Sequence, residues 1–424
     1  RWTALQTIGG DAVITGLSQL VRSATSPRQR REAVLALAAT DLERALPDVA
    51  SALQSLSDPA DVEAAWRALL GITGASDKLA ASLTSATLNA ATAKQALRFA
   101  REGGRHPALV QTLMQIAGVS STTEVLSSAE LIALATESME RGDAARGERI
   151  YRQPQLACMA CHAIGGVGGR VGPDLTSLGA SAPADYLLES RLYPPAKTKE
   201  GYHAVALTTR DGRDYSGVIV RENEREVVLR GADNQLVTLS PRELTKRTDF
   251  GSLMPAGLVD SLTPAELRDL VRFLSQLGRP GDFDAARGGV ARLWRSYVAN
   301  PVNQPIGMEP VVRGDFTLSD WRLLPSLTDG SVDRGLLTDI LRTEEWAREL
   351  YVATAFNAPR SGRATFRLQG PILRAWLNGQ PITPEASFSA ELATGDHVLV
   401  FELNKRDLST KLTLRSDDVS FANE

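Results

Sequence analysis

A chain of 424 residues, 43% hydrophobic and 23% charged, has the composition of a globular protein and is long enough for two to four domains, each with its own core. Its formal net charge of −3, with Lys and Arg spread along the chain, leaves no basic footprint for nucleic acid. No apolar run approaches the length of a bilayer crossing, so no membrane span is expected.

The chain starts at Arg1 rather than Met, which leads us to expect a processed or truncated product; the lack of an export signal then says nothing about compartment. Residues 1–135 read as helix after helix. Val13, Leu17, Leu20 and Val21 keep helical spacing, as do Ala33, Val34, Leu37 and Ala38. Ser26-Pro27 and Asp58-Pro59 are helix starts, a capping side chain followed by a proline whose missing N–H costs nothing there. The two prolines lie 59 − 27 = 32 residues apart, about one helix pair. An array of HEAT-like helical repeats is expected.

Residues 136–280 form the next expected domain. Helical segments flank the glycine-rich loop "GGVGGRVGPDL". A block of alternating apolar and polar residues at about 203–240 then predicts four short antiparallel strands, with turns at Asp211-Gly212 and Asp233-Asn234. Helical character returns in "LTPAELRDLVRFLSQLG". For 281–311 the sequence suggests a connecting helix, "FDAARGGVARLWRSYVAN", and a proline-containing linker from about residue 299. Residues 312–424 look all-β: "ELYVATAF", "RATFRLQ", "ILRAWLNG", "SFSAEL", "HVLVFELN" and "KLTLRS" have strand length, and Asn378-Gly379 is a hairpin turn. Their spacing predicts a β-sandwich. The fold expected overall is multidomain α+β.

Cys158 and Cys161 are the only two cysteines, three apart, with His162 directly after the second. This is the spacing of covalent haem attachment. Each thiol adds to one vinyl group of the porphyrin, and the histidine follows under the iron. Three other chemistries fit less well. A thioredoxin-like redox pair wants a βαβ surround, and the flanks here are helical or glycine-rich. A zinc site needs a fourth ligand, for which only His203 is near in sequence. A disulfide across two residues is strained and leaves the histidine unexplained.

The flanks carry further signals. Asp143 can cap the short helix "DAARGERIYRQ", whose Gly147 and Tyr151 share a face, glycine allowing another helix to approach. Its expected partner is the helix from Pro264, with a capping box of Thr263 and Glu266, a stop at Gly278, and a stripe of Leu267, Leu270, Val271, Leu274 and Leu277 beside Phe273.

"GERIY", "CMACH", "GPDL" and "LMPAG…LTPAELRDLVRFL" resemble the class I c-type cytochromes in content and order. The resemblance implies haem c bound through Cys158 and Cys161, with His162 as proximal ligand. It also implies that Gly172 and Pro173 form a proximal loop orienting the histidine, and that Met254 is the distal ligand. His203 is the rival sixth ligand. Met159 lies within the attachment loop, and Met114, Met139 and Met308 read as core filler. Arg170, Arg191 and Lys197 are candidate partners of the haem propionates. His106 and His397 read as surface or structural residues. From His162 to Met254 is 254 − 162 = 92 residues, longer than in a minimal cytochrome, the excess being the strand block. That insertion behind helical repeats resembles the haem-binding domain family of Planctomycetes and Verrucomicrobia, over about residues 1–280, most specifically in "YPPAKTKEGY", in Asp211, Gly212, Tyr215 and Gly217, and in "SLMPAGL". The C-terminal domain weakly resembles the jelly-roll modules that accompany carbohydrate-active proteins, with Trp346, Tyr351 and Trp376 as candidate sugar platforms, although core packing is the commoner fate of such residues.

The expected function is therefore a monohaem electron carrier, periplasmic or otherwise exported, between a dehydrogenase donor and a cytochrome or other acceptor, an electron-transfer protein more than a catalyst on its own. One alternative is the haem-bearing C-terminal part of a sugar or alcohol dehydrogenase whose catalytic domain is not in this chain. Another is a scaffold that binds polysaccharide through its C-terminal domain and carries a peripheral haem.

Overall fold

The computed structural model describes residues 10–56, 59–72, 74–85, 88–101, 106–118, 126–153, 156–194, 198–260, 262–299, 307–318, 320–342, 349–404, 406, 408 and 410–422. It is a mixed α+β chain that divides into two compact units. One comprises Arg1–Cys161, Val171–Pro173 and Ala184–Arg272; the other comprises His162–Arg170, Asp174–Pro183 and Phe273–Glu424.

Among the described residues the first unit opens with seven helices: α1 (Asp11–Ser23), α2 (Pro27–Thr40), α3 (Leu42–Gln54), α4 (Pro59–Leu70), α5 (Ala75–Ser85), α6 (Ala90–Arg101) and α7 (Pro107–Ala117). Helices α2, α4 and α6 pack side by side, as do α3, α5 and α7. This is the two-layer stacking of a helical repeat array, in which each repeat buries its apolar face only by meeting its neighbours. The 32-residue spacing seen in the sequence is thus the step between α2 and α4, which start at Pro27 and Pro59 in the same layer. Ala45, Ala65, Ala75, Ala93, Ala96 and Ala100 are almost wholly buried and share one core with the fully buried Trp66. Asp58 lies outside the described residues.

After α8 (Ser128–Arg141) and α9 (Ala144–Tyr151) come the short α10 (Cys158–Cys161), a two-residue hairpin of β1 (Ala163–Ile164) and β2 (Val167–Gly168), and α11 (Leu178–Ser181) and α12 (Ala184–Leu192). The strand block is a sheet of β3 (Ala204–Thr209), β4 (Asp214–Glu222), β5 (Val227–Arg230), β6 (Leu236–Leu239) and β7 (Leu244–Gly251), in the order β6-β5-β4-β3-β7. The expected turns hold: Gly212 and Asn234 both have positive φ. Four strands were expected and five are present. The fifth, β7, lies at an edge beside β3 and is largely exposed, so it lacks the apolar alternation that marks a strand. Helix α13 (Pro264–Leu274) follows.

The connecting helix expected over 283–300 is not one. Its first half is turns, and its second half is strand β8 (Leu293–Ala299). Trp294, Tyr297 and Ala299 are buried because β8 lies between β9 (Arg322–Pro325) and β10 (Glu349–Ala358). Gly288-Gly289 interrupts the helix-like "DAAR", and aromatic and β-branched residues suit the pleated, half-buried surface that follows. The all-β region therefore starts well before residue 312. Short helices α14 (Glu309–Arg313) and α15 (Arg334–Arg342) are followed by β11 (Gly362–Gln369), β12 (Ile372–Leu377), β13 (Gln380–Ile382), β14 (Ser387–Leu392), β15 (Gly395–Leu403), β16 (Thr413–Arg415) and β17 (Ser420–Phe421). One sheet runs β13-β12-β15-β10-β8-β9 with β17 beside β10, the other β14-β11-β16. They share one core in which Phe356 of the first sheet meets Phe366 of the second edge to face at 5.3 Å. The β-sandwich read from the sequence is present.

Candidate functional site

Helix α9 forms because Asp143 accepts the Arg146 amide at 3.0 Å, as its place before the helix predicts. A second carboxylate ties α9 to α13. Asp269 accepts from the Asp143 amide at 2.7 Å and from Arg146 Nε at 2.8 Å. Burial pushes Asp269 up, but the bond from Arg146, the Asp143 amide and the charges of Arg146 and Arg268 outweigh it and hold the carboxyl below the usual aspartate range. Helix α13 comes close to the chain at Gly142. There a Cβ would stand 2.6 Å from Arg272 Cβ and 2.7 Å from the Arg268 carbonyl, so only glycine fits. Gly147 itself is buried in α9. The capping box of Thr263 and Glu266 is formed, at 2.8 Å and 3.3 Å.

The end of α9 leads to the two thiols. Cys158 and Cys161 are not joined in a disulfide and begin and end the single turn of α10. Ala157, just before them, has φ 52°, a left-handed conformation that costs a residue with a Cβ about 1 kcal/mol. Val171, Ala204 of β3, Val218 of β4 and Leu253 form a small apolar cluster against Cys161. The Gly172 amide donates to the Cys161 carbonyl at 2.7 Å, so the expected proximal loop, Gly172 and Pro173, is hydrogen-bonded to the end of the motif. Farther along the same stretch, the Leu175 amide donates to the Ala163 carbonyl at 2.8 Å, and the Gly165 amide to Thr176 Oγ1 at 2.8 Å. His162 is buried at the start of the β1–β2 hairpin.

Arg191 of α12 stands apart among these residues. It is 8% exposed. Its Nε is buried with no hydrogen-bond partner, and Nη1 faces the Met254 sulfur at 3.8 Å. Its electrostatic neighbours are Cys158, Tyr151 and Tyr186; among the described residues no carboxylate pairs with it. Burial lowers the guanidinium pKa, against the pull of those three groups. Burial also pushes the Cys158 thiol up to about 11, with Cys161 adding to it and Arg191 opposing it. The Tyr151 phenol is driven well above its ordinary value, first by burial and then by Cys158. A second buried cation nearby in sequence behaves otherwise. Arg152 forms a buried ion pair with Glu148 at 2.8 Å and sets Nη1 3.5 Å from Met159 Sδ.

A buried guanidinium without a counter-charge costs several kcal/mol. Such a cation can receive an anion, and the donor set suits the group expected from the sequence: two thiols a turn apart, the Met254 thioether, and a cation for a carboxylate. Among the described residues no group of three or more His, Cys, Asp or Glu is placed to hold a metal ion. The other sequence candidates are placed as follows. Arg170 and His203 are exposed, His203 directly before the buried Ala204. Lys197 lies outside the described residues. His397 is structural: Asn378 Nδ2 donates to its Nδ1, its Nε2 donates to the Ala393 carbonyl, and its ring stacks on Phe356. Tyr351 is fully buried and packs on the half-buried Trp376, so Tyr351 presents no platform; Trp346 lies outside the described residues.

Sequence reasoning missed the Arg101–Asp260 pair, which ties the end of α6 to the segment after Met254. The two residues are 159 positions apart, and no local pattern joins them. No protein-family model matches the chain, and no curated protein matches it. No helix among the described residues is long and apolar enough to cross a membrane.

Proposed function

We propose that this chain is a monohaem electron carrier of the c type. In this reading Cys158 and Cys161 add their S–H groups across the two vinyl double bonds, His162 and Met254 supply the axial ligands, and Arg191 pairs with a propionate. The observation that carries the proposal is Arg191, buried, with no carboxylate partner among the described residues, and in reach of both Cys158 and the Met254 sulfur. When bound, haem supplies a one-electron iron couple.

The chain's residues then account for the tuning. The Met254 thioether is soft and neutral and favours the ferrous state, which raises the potential. The Arg191 cation acts in the same direction by disfavouring added positive charge in a poorly solvated site. Val171, Ala204, Val218 and Leu253 keep water from the Cys161 side. With both axial positions filled by protein, the chemistry left is electron exchange with redox partner proteins, from a dehydrogenase donor to a cytochrome or other acceptor. Bacteria attach c-type haem outside the cytoplasm, so we place the chain in the periplasm or beyond.

The test is an absorption spectrum of the chain made with haem maturation, before and after acid-acetone extraction. The expected result is colour that stays with the protein, sharp reduced bands and the weak far-red band of methionine-ligated ferric haem. Met254→Ala should abolish the far-red band and let the reduced protein bind carbon monoxide. A colourless product overturns the reading, and so does a native protein that binds carbon monoxide as readily as the variant.

A further inference from the structure

Met254 lies in the stretch between β7 and α13, a segment with no regular structure of its own. Its position is fixed by an anchor on each side. Upstream, Leu253 is buried against Val171, Ala204, Val218 and Cys161, and the Met254 amide donates to Ser252 Oγ at 3.1 Å. Downstream, the turn Gly257–Asp260 closes through the Asp260 amide on the Gly257 carbonyl at 3.1 Å. That turn is gripped from outside by Arg101, at the end of α6 in the helical array. Arg101 Nη1 donates to the Gly257 carbonyl, and Nη2 pairs with Asp260 Oδ2 at 3.1 Å. The side chains of Arg101 and Asp260 are only 10% and 5% exposed. Gly257 has φ +73°, and a Cβ there would stand 2.8 Å from the Arg101 guanidinium, so the turn is shaped around it. Burial lowers the Arg101 pKa, with Asp260 opposing, as for a cation held by one buried partner.

We infer that Arg101 is a positioning residue for Met254, which makes the helical array part of the site. The inference rests on the electron-carrier reading for its purpose, but not for its geometry. Only Pro255 and Ala256 separate Met254 from the gripped turn, so releasing the turn frees the thioether while Leu253 stays docked. A movement of α6 would therefore be felt at the sixth ligand, giving the array a means to govern the potential.

The experiment uses the full chain and two variants, Arg101→Met, which keeps the apolar stem, and Asp260→Asn, which keeps the size and leaves Arg101 its bond to the Gly257 carbonyl. In the haem-free protein, amide hydrogen exchange at Met254 and Asp260 is expected to rise roughly tenfold in Arg101→Met and by less in Asp260→Asn, with α8, α9 and α13 unchanged. In the haem-loaded protein, covalent haem should remain while the far-red methionine band weakens and carbon monoxide binding appears, in the same order of variants. Exchange and spectrum unaltered in both variants overturn the inference. A uniform rise across the unit also overturns it, because Arg101 would then be a general brace. If the native chain takes up no haem, the electron-carrier reading fails, and the exchange result alone decides whether Arg101 holds the turn.

Discussion

The region around Cys158 and the C-terminal sheets bury an arginine each, to the same extent, in opposite circumstances. Arg292, just before β8, is 8% exposed and donates from Nε to the Thr328 carbonyl at 2.9 Å and from Nη2 to the Asp284 carbonyl at 3.5 Å. Arg191 is also 8% exposed, yet its Nε has no hydrogen-bond partner among the described residues and its Nη1 faces the Met254 thioether. Burial lowers the pKa of both. In the sheets a guanidinium completes the hydrogen bonding of loops, whereas beside the thiols it is left with capacity to spare. The difference teaches that burial alone does not mark a functional charge; lack of a partner does.

Swapping each arginine for methionine should give opposite signs in the haem-free chain. Arg292→Met strands a buried carbonyl and should lower the unfolding free energy by about 2–3 kcal/mol. Arg191→Met removes a buried charge that no carboxylate pairs among the described residues, and should leave stability unchanged or raise it by about 1 kcal/mol. Urea titrations of both variants measure this; equal losses would erase the comparison. In the haem-loaded chain, Arg191→Met should instead lower the reduction potential, read by redox titration.

The ion-paired carboxylate Asp269 supplies the pH arm. Its folded pKa is depressed, so its contribution is fully present above the ordinary aspartate value of about 4 and disappears as pH falls through the folded value. Asp269→Asn should therefore cost about 1–2 kcal/mol at pH 7 and flatten the acid limb of stability below about pH 4. Thermal unfolding from pH 7 to 2 checks the sign.

At the thiols, a Cys158 pKa of about 11 leaves little thiolate at pH 8. Even after its greater basicity is allowed for, iodoacetamide should modify it about tenfold more slowly than an ordinary exposed thiol. Because Arg191 holds the thiol down, Arg191→Met should slow the reaction further and Arg292→Met should not; peptide mass spectrometry of Cys158 reads both. The smallest effect expected is the loss of the cap in Asp143→Ala, about 1 kcal/mol, in the same urea titrations.

What could be read in advance was what is encoded locally. Pro27 and Pro59, Asp143, the Thr263–Glu266 box and the turns at Gly212 and Asn378 depend on neighbours within four residues, and each was legible. Strand β8 was not, because "LWRSYVA" is too short for its period to separate strand from helix, and the arbiter is β10, some fifty residues later. Strand β7 was hidden by its exposure. At the candidate site, Cys158, Cys161 and Arg191 were visible as residue types in a spacing. That Arg191 has no carboxylate partner among the described residues, and that Arg101 reaches Gly257, are properties of packing between distant segments, which no local pattern encodes.

The pairing of Ala204 with Gly251 has a consequence for the history of the chain. The sheet that lengthens the path from His162 to Met254 departs and returns on adjacent strands, so its two ends stand about one strand spacing apart, near 5 Å. A host that yields only that gap can take up or shed such a block with a cut at each end and a turn to seal it. The strand block is thus a cassette by geometry. Its tips β4–β5 and β5–β6 lie away from that gap, while Ala204 and Val218 belong to the apolar cluster against Cys161 and tie the block to its host.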